Sequence, residues 1–282
     1  MKFKNIFSAV IAAAFSAVVF TGCSDNADNS TSSSSPSASA DGKVIITGLA
    51  DLTPHSEIIE FVKPKLEEQG ITVNIVGTAS DATWNSKVQD GEVDFNFVQH
   101  DPYLIEWNEL NGGNLVNAGA VHIEPIAAYS EQYTDVSEIP DNATVVVPND
   151  ATNEYRALKI LEDAGFIKLK EVSNARASVQ DIEEYIKPIE IVEMDSYQIN
   201  AHRTEFDIYI NNTNKVIEAG IDASKYLFRE GTDSPYANII AATPEKAEST
   251  AVKALVEALQ SAETAAFIEE HYNGAVIPVY AE

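Results

Sequence analysis

The sequence is poor in cysteine and in positive charge. Cys23 is the single cysteine among 282 residues, which excludes an internal disulfide and a zinc or iron–sulfur site built from several cysteines. Lys and Arg number 18 against 44 Asp and Glu, so the formal net charge is -26 at pH 7. Such a surface repels polyanions, and no basic stripe interleaved with aromatic residues interrupts it. We therefore expect no nucleic acid among the partners of this protein.

The motifs of common enzyme and metal sites are also missing from the sequence. It contains no Gly-x-Ser-x-Gly elbow, no phosphate-binding glycine loop and no cysteine nucleophile beyond Cys23. Its histidines stand at positions 55, 100, 122, 202 and 271 without a His-x-x-x-His pair, so a metal would need ligands from distant loops. We expect a protein that is not an enzyme and that needs neither a metal nor a cofactor.

The N-terminal apolar run is too short for a comfortable membrane span. Two lysines precede the run, which ends at Phe20, and this pattern is typical of a secretory signal peptide over residues 1–22. The sequence Phe20-Thr21-Gly22-Cys23 resembles the lipobox of bacterial lipoproteins, in which the cysteine is lipidated and becomes the mature N-terminus. A free thiol at Cys23 is the alternative.

The segment that follows Cys23 is Ser-rich and contains no large apolar residue up to Gly42. Such a segment cannot bury enough surface to offset the entropy lost on folding, so we expect residues 23–42 to be a lipidated cysteine and a flexible tether. The sequence thus predicts an acidic folded body that is anchored to the outer face of the cell membrane by lipid.

From Lys43 onward, apolar runs of strand length alternate with segments of helical period. The predicted strands are Lys43–Leu49, Ile71–Gly77, Val93–Val98, Thr144–Pro148, Ile189–Met194, Phe206–Asn211 and Asn238–Ala242. The predicted helices are Ser56–Gln69, Glu154–Ala164 and the tail from Glu245 to His271. This alternation predicts an α/β protein with mostly parallel sheets.

The chain is long enough for two lobes. We assign residues 43–123 and 236–282 to the first lobe and residues 124–235 to the second, with a crossing at His122–Ala128. Two α/β lobes joined by crossing segments leave a cleft between them, and ligands in such sheets lie beyond the carboxyl ends of the strands. The residues after each strand are therefore the candidates for a binding site.

One predicted strand ends with polar side chains suited to a small ligand. Gln99 and His100 end the strand, and Pro102 forces a turn that holds Tyr103 close by. A buried core histidine is an equally good interpretation of His100 from these residues alone.

A second predicted strand runs through a polar turn into a helix at Pro148–Leu158 (PNDATNEYRAL). Asn153 is the predicted N-cap, which would put Arg156 in the first turn of the helix. Backbone N–H groups, the helix dipole and a guanidinium would then converge, and this combination favours a carboxylate. The alternative is that Arg156 braces the helix against Glu154 or Asp150 at the surface.

Several motifs together are similar to those of a known family. The motifs are QHDPYL at Gln99–Leu104, PNDATNEYRAL at Pro148–Leu158, DSPYANII at Asp233–Ile240, and Gly274-Ala275-Val276. They resemble the methionine-binding lipoproteins, also called the NLPA family, which are substrate-binding components of ABC importers. The similarity covers the whole folded body. It implies a two-lobed, periplasmic-binding-protein-like fold that closes on a free amino acid and delivers it to a membrane permease.

The resemblance also implies roles for individual residues. Arg156 and Asn153 would take the ligand carboxylate, His100 would face the ligand from the first lobe, and Asn211 and Asn238 would supply polar partners. Three aromatic candidates complete the predicted ligand-binding set, namely Tyr103, Phe97 and Trp84.

The sequence departs from the family at two positions. Ala82 and Val98 stand where the family has the aromatic rings that hold the methionine thioether. Trp84 and Phe97 are candidate replacements, although both would by default be core or surface aromatics. A dipeptide or another amino acid therefore stays open as the ligand, and so does a different class, a metal-carrying or purely structural surface lipoprotein.

Overall fold

Two mixed β-sheets with helices on both faces, and a small two-stranded sheet, form the described part of the chain. The computed structural model describes residues 43–77, 83–171, 176–231 and 234–279. The predictions for the signal peptide, Cys23, the tether and Ala82 lie outside these residues. Among the described residues, no helix has the length and apolar content needed to cross a membrane.

The strands follow the predicted pattern closely. In chain order they are β1 (Val44–Leu49), β2 (Ile71–Ile75), β3 (Phe95–His100), β4 (Val116–Ile123), β5 (Ala127–Tyr129), β6 (Ala143–Pro148), β7 (Ile167–Leu169), β8 (Ile182–Tyr185), β9 (Ile189–Met194), β10 (Ile208–Asn211), β11 (Phe228–Arg229), β12 (Ala237–Ala242) and β13 (Ile277–Pro278). Each strand predicted from the sequence is present, with its ends within two residues of the predicted bounds.

The helices occupy most of the segments between the strands. They are α1 (His55–Glu68), α2 (Trp84–Gln89), α3 (Asp101–Asn111), α4 (Ala151–Asp163), α5 (Ser196–His202), α6 (Thr213–Glu218), α7 (Pro244–Ala247), α8 (Thr250–Leu259) and α9 (Ala262–Tyr272). Gly70 takes a left-handed conformation (φ 76°) directly after α1, which explains why that helix stops there. The predicted C-terminal helix is divided into α7, α8 and α9.

The six-stranded sheet has the order β13-β4-β12-β3-β1-β2. Strand β1 pairs in parallel with β2 and β3, whereas β12 pairs antiparallel with β3 and β4. The expectation of mostly parallel sheets is therefore wrong for this half. The reason is that β12 enters late in the chain, after the excursion through the other sheet, and runs against its neighbours.

The five-stranded sheet has the order β11-β5-β10-β6-β9. Strand β6 pairs in parallel with β9 and β10, while β5 pairs antiparallel with β10 and β11. A separate antiparallel pair, β7 and β8, was not predicted from the sequence. Both larger sheets are thus mixed, which agrees with the α/β class but not with mostly parallel pairing.

Apolar side chains are buried on both faces of each sheet. In the six-stranded sheet, alternate residues of β3 enter different cores, since Phe97 packs with residues of α1 and α8 and Val98 packs with Trp84 and Leu104. The five-stranded sheet is covered by α4 on one face and by α5 and α6 on the other. Burial on both faces explains the continuous apolar runs in the sequence.

The chain passes from the six-stranded to the five-stranded sheet between β4 and β5, and returns between β11 and β12. These passages lie at Glu124–Ile126 and near Glu230. The exact lobe boundaries, placed at 123/124 and 235/236 from the sequence, stay a prediction.

Candidate functional site

A cavity lies where the strand ends of both sheets meet, with about 100 Å³ of space for small groups inside it. The cavity is lined by Trp84, Val98, Gln99, His100, Tyr103, Glu124, Asp150, Asn153, Arg156, Ser196, Asn212, Asn214, Lys215 and Asn238. Six of the residues predicted from the sequence are in this lining, namely Trp84, His100, Tyr103, Asn153, Arg156 and Asn238.

His100 is held at the junction of β3 and α3. Its Nδ1 accepts a hydrogen bond from the backbone N–H of Tyr103 at 3.2 Å, so His100 caps α3. The ring proton is then on Nε2, which donates to Asn153 Oδ1 at 3.4 Å across the cavity. Burial, together with the positive charge of Arg156, lowers the pKa of His100 to about 3. His100 is therefore a neutral hydrogen-bond donor at pH 7.

Helix α4 begins at Ala151, earlier than the Glu154 predicted from the sequence. Asp150 is the N-cap, and its carboxylate accepts from the backbone N–H of Asn153 at 3.0 Å. The prediction that Asn153 is the N-cap is wrong, because Asp150 ends the extended segment and caps the helix, so Asn153 already lies inside its first turn. Arg156 consequently lies in the second turn, and the helix N-terminus already holds an acidic side chain of the protein itself.

Arg156 is only 2% exposed and is held by an internal ion pair. Its Nε and Nη2 donate to the two carboxylate oxygens of Glu230 at 3.2 and 2.6 Å, and Nη2 also donates to the backbone carbonyl of Glu124 at 2.9 Å. The guanidinium lies 4.4 Å from the centre of the Tyr236 ring. The bidentate face of the guanidinium is thus occupied by Glu230.

Asn153 joins the two sides of the cavity. Its Oδ1 accepts from Arg156 Nη1 at 3.1 Å and from Asn212 Nδ2 at 2.9 Å, in addition to His100. Its Nδ2 donates to the Asp150 carboxylate at 3.0 Å. Asn153 therefore links Arg156, Asn212 and His100 through hydrogen bonds to one oxygen atom.

Two predicted site residues lie away from the cavity lining. Phe97 is fully buried and packs edge-on against the rings of His55 and His122, at centroid distances of 4.8 and 5.3 Å. The strand alternation points it to the opposite face from Val98, so the prediction for Phe97 is corrected to a core position.

Asn211 is the second correction. Its side chain is completely buried, and its Nδ2 donates to the Ser196 carbonyl at 2.9 Å and to Asn200 Oδ1 at 3.2 Å. The next residue, Asn212, lines the cavity instead. The sequence Asn211-Asn212 gave no signal that distinguishes the two, because the strand ends between them.

A buried cluster of His55, His122 and Glu124 lies beside Asn238. The Nε2 atoms of His122 and His55 lie 2.7 and 3.3 Å from Glu124 Oε1, and His55 Nε2 also lies 3.2 Å from Asn238 Oδ1. Burial lowers the pKa of His55 to about 4. Burial alone would raise the pKa of Glu124, but the adjacent histidines and the backbone N–H of Asn214 outweigh it, so this pKa is lowered. Glu124 is therefore a carboxylate at neutral pH.

The same cluster offers three metal-ligand atoms within 4.8 Å of one another, two of them from the neighbouring His122 and Glu124 and one from the distant His55. Metal-binding histidines usually donate their second ring N–H to an acceptor. Here the Nδ1 atoms of His55 and His122 are buried and have no hydrogen-bond partner among the described residues. Ligation through Nε2 would move a proton to each of these Nδ1 atoms. The geometry therefore favours histidines that donate through Nε2 to Glu124 over a metal site.

The first-sheet side of the cavity is uncharged. Trp84 and Val98 are each 7% exposed and belong to one apolar cluster. Gln99 exchanges buried hydrogen bonds with Asn85 and Asn96, which fix its side chain beside the cavity. Trp84 thus supplies apolar surface on this side of the cavity.

Sequence reasoning missed several lining residues and partners, namely Glu124, Asp150, Ser196, Asn212, Asn214, Lys215 and the Arg156 partner Glu230. Glu124 could have been found from the sequence, since it is an acidic residue in the predicted crossing segment His122–Ala128. For Glu230 no local pattern indicated the contact, because it is separated from Arg156 by 74 residues.

Two α/β halves with a polar cavity between their strand ends define a two-lobed substrate-binding protein. The sequence profile of the NlpA lipoproteins matches residues 48–280, and the chain belongs to the NlpA lipoprotein family. The resemblance inferred from the motifs is thereby confirmed.

Individual relatives agree with this assignment. The chain is 37% identical over 245 residues to the methionine-binding lipoprotein MetQ of Bacillus subtilis, covering 84% of this chain and 89% of that protein. It resembles the structure of a nutrient binding protein from Burkholderia cenocepacia bound to methionine, at 33% identity, a TM-score of 0.79 and coverage of 84% and 100% of the two chains. An ABC transporter periplasmic substrate-binding protein from Coxiella burnetii is similar, at 33% identity, a TM-score of 0.78 and coverage of 84% and 100%.

Proposed function

We propose that this protein captures methionine or a related amino acid and delivers it to the permease of an ABC importer. The observation that carries this proposal is the cavity itself, which is lined by both a buried guanidinium and a buried carboxylate, those of Arg156 and Glu124. Opposite charges in one cavity are complementary to a zwitterion. The names of the relatives support a binding protein rather than an enzyme.

The carboxylate of the ligand binds on the side of Arg156. Four of the five guanidinium N–H donors are engaged within the protein, with Glu230, Glu124 and Asn153 as acceptors. Within the described part of the chain, one Nη1 N–H has no acceptor and can serve the ligand. Lys215 adds a second cation to the lining, and its Nζ lies 2.9 Å from the centre of the Tyr197 ring. The ligand carboxylate therefore takes a single bond from Arg156 and gains further attraction from Lys215.

The side chain of the ligand extends toward the uncharged side of the cavity. Trp84 and Val98 supply apolar surface there, and Tyr103 supplies a second ring. A thioether gains from contact with aromatic rings. The presence of Val98 in place of a ring leaves room for a larger or more polar side chain than methionine, so a related amino acid or a dipeptide is the second candidate ligand.

Anchoring follows from the N-terminal sequence. We propose that Cys23 carries lipid, that residues 24–42 form a tether, and that the binding body works outside the cell membrane next to its permease. Membership in a lipoprotein family supports this proposal.

Two measurements test the ligand and the anchor. Native mass spectrometry of gently purified full-length protein should give a mass increment for lipid on a chain cleaved before Cys23, plus the mass of a captured amino acid or dipeptide. Titration calorimetry with L-methionine should then give saturable binding. A bound metal ion with no amino acid, and no heat with any common amino acid or methionine dipeptide, would reject amino acid capture. A mature chain without lipid would reject the anchor.

A further inference from the structure

Trp84 carries a buried hydrogen-bond donor without a partner. Three buried side-chain nitrogen atoms of the described residues have no hydrogen-bond partner there, namely Nδ1 of His55, Nδ1 of His122 and Nε1 of Trp84. The ring nitrogen of a neutral histidine can be an unprotonated acceptor, whereas the indole Nε1 always carries a hydrogen and is only a donor. Buried N–H groups without an acceptor are rare in folded proteins, because each one costs stability. The Trp84 N–H is therefore the exception among these three that calls for an acceptor.

Trp84 differs from the two histidines in its place in the fold. It is the first residue of α2 and the one member of this set that lines the cavity. Its other neighbours include Val98 and Leu104, which belong to the same apolar cluster and have no acceptor in their side chains. A ligand in the cavity lies against the indole ring, so it can bring the acceptor that these side chains lack.

The neighbouring donors on this side of the cavity are already used within the protein. Gln99 Nε2 donates to Asn85 Oδ1 at 2.5 Å and to Asn96 Oδ1 at 2.6 Å, which uses both of its hydrogens. His100 Nε2 donates to Asn153 Oδ1. The uncharged side of the cavity thus has committed donors at Gln99 and His100, and an uncommitted one at Trp84.

An indole N–H at the cavity discriminates between side chains of equal size. A hydrocarbon side chain leaves the N–H unbonded, and a thioether sulfur is only a weak acceptor. An ether or carbonyl oxygen is a strong acceptor, and it loses its water on entering the cavity whether or not a donor meets it. A site that holds a donor therefore favours the oxygen-containing side chain, and a site without one rejects it.

We propose that Trp84 is a specificity-determining residue, whose indole N–H donates a hydrogen bond to an acceptor atom in the side chain of the bound amino acid. The preferred ligand carries an oxygen acceptor in its side chain, where methionine carries sulfur. This inference rests on the proposed function and extends it to the side-chain end of the ligand.

Three amino acids that differ in one group test the proposal. L-Norleucine, L-methionine and O-methyl-L-homoserine have side chains of the same length, with a methylene, a sulfur and an oxygen at the same position. In a site without a donor, norleucine should bind at least about tenfold more tightly than O-methyl-L-homoserine, because the ether oxygen is buried unbonded. Calorimetry on the full-length wild type should instead give O-methyl-L-homoserine an affinity at least equal to that of norleucine.

Trp84→Phe removes the N–H and keeps an aromatic ring. It should weaken binding of O-methyl-L-homoserine relative to norleucine by roughly tenfold. A role in packing alone would change the affinity for all three ligands by the same factor. Trp107→Phe is the matched control, because Trp107 packs against the same apolar cluster but does not line the cavity, and it should leave the ratio unchanged. Thermal unfolding identifies any variant that does not fold, and the wild-type ratio is independent of both variants.

Nuclear magnetic resonance observes the donor directly in the wild type. The chain has two tryptophans, Trp84 and Trp107, so its nitrogen–proton correlation spectrum has two indole signals, which Trp107→Phe assigns. A hydrogen bond to oxygen deshields the proton. O-methyl-L-homoserine should therefore move the Trp84 signal downfield of its position with norleucine, while the Trp107 signal should be the same with both ligands.

Three results overturn this inference and leave the proposed function intact. One is a wild type that favours norleucine over O-methyl-L-homoserine by the same factor as Trp84→Phe. Another is a Trp84 indole signal that has the same position with both ligands. The third is a wild type that binds methionine but not O-methyl-L-homoserine. A wild type that binds no amino acid or dipeptide rejects the proposed function, and this inference with it.

Discussion

The two sides of the cavity are built on different physical principles. On the side of the five-stranded sheet, Arg156 and Asn153 are charged or strongly polar and are interlocked with Glu230 and Asp150. On the side of the six-stranded sheet, the lining is uncharged, with apolar packing at Trp84 and Val98 and a neutral His100. The charged wall suits the constant part of an amino acid, and the uncharged wall suits its variable side chain.

Substitutions should therefore have different effects on the two sides of the cavity. In an interlocked ionic wall, removing one partner leaves the other charge buried without compensation. In an apolar wall that borders an open cavity, a change of side chain alters the shape of the site and leaves few polar groups unsatisfied. We expect changes in the charged wall to cost both folding and binding, and changes in the uncharged wall to alter ligand preference with little cost in stability.

The largest expected effect is that of Arg156→Ala. The substitution leaves Glu230, whose side chain is only 14% exposed, without its cation, so the free energy of unfolding should fall by about 3–5 kcal/mol. Methionine binding should also weaken by roughly thirtyfold or more, because a charge-assisted bond is lost. Urea denaturation and calorimetry measure the two effects.

The matched control is Arg176→Ala. Arg176 pairs with Glu109 at the surface, where such a pair contributes about 0–1 kcal/mol, so both measurements should stay near wild type. The double variant Arg156→Ala/Glu230→Ala should be more stable than Arg156→Ala alone. If Arg156→Ala binds less tightly but is as stable as wild type, the charged wall is not interlocked and the contrast between the walls fails.

The sequence predicted those parts of the site that depend on local order. The strand ends at His100 and Pro148 follow from short-range patterns. The turn expected at Pro102 is instead the first turn of α3, which the sequence analysis did not predict. The prediction of Asn211 as a lining residue missed by one position, since Asn212 lines the cavity instead. The reason is that the face to which a side chain points depends on where the strand stops.

The contacts that were missed join residues distant in sequence. Glu230 and Arg156 are 74 residues apart, and His55 meets Glu124 through packing between α1 and the crossing segment. Nothing in local periodicity encodes such a pair. The antiparallel entry of β12 was missed for a similar reason, because strand direction depends on the path of the chain between the sheets.

An intermediate effect should appear when the buried histidines are protonated. The pKa values of His55 and His100 are lowered by burial to about 4 and about 3, below the ordinary unfolded value of 6.5. The unfolded chain therefore binds protons first, and the stabilisation present above pH 6.5 is lost as the pH falls. Each histidine should remove about 1–2 kcal/mol of unfolding free energy between pH 6.5 and 5.

Glu154 acts in the opposite direction. Burial raises its pKa to about 7, so the folded state takes up its proton first and gains stability as the pH falls through 7. The test therefore compares variants: His55→Gln should show a shallower loss of stability than wild type between pH 6.5 and 5. His202→Gln, at an exposed histidine, should match wild type. Equal pH slopes for wild type and His55→Gln would show that His55 is not a buried neutral donor.

The smallest effect concerns ligand preference at the uncharged wall. Val98 lines the cavity at a position where the family has a ring, so Val98→Phe should place an aromatic face near the ligand side chain. A sulfur–aromatic contact contributes about 0.3–1.5 kcal/mol, so methionine should bind about two- to tenfold more tightly, and adding Ala82→Tyr should extend the gain. Stability should change little, because the new ring extends into the cavity.

Val76→Phe, at an exposed valine next to β2, is the control and should leave methionine binding unchanged. A thermal-shift panel of amino acids and dipeptides measures the preference. If wild type already selects methionine alone with sub-micromolar affinity and Val98→Phe weakens it, then Trp84 and its neighbours already form a complete thioether site, and the uncharged wall is as specific as the charged one.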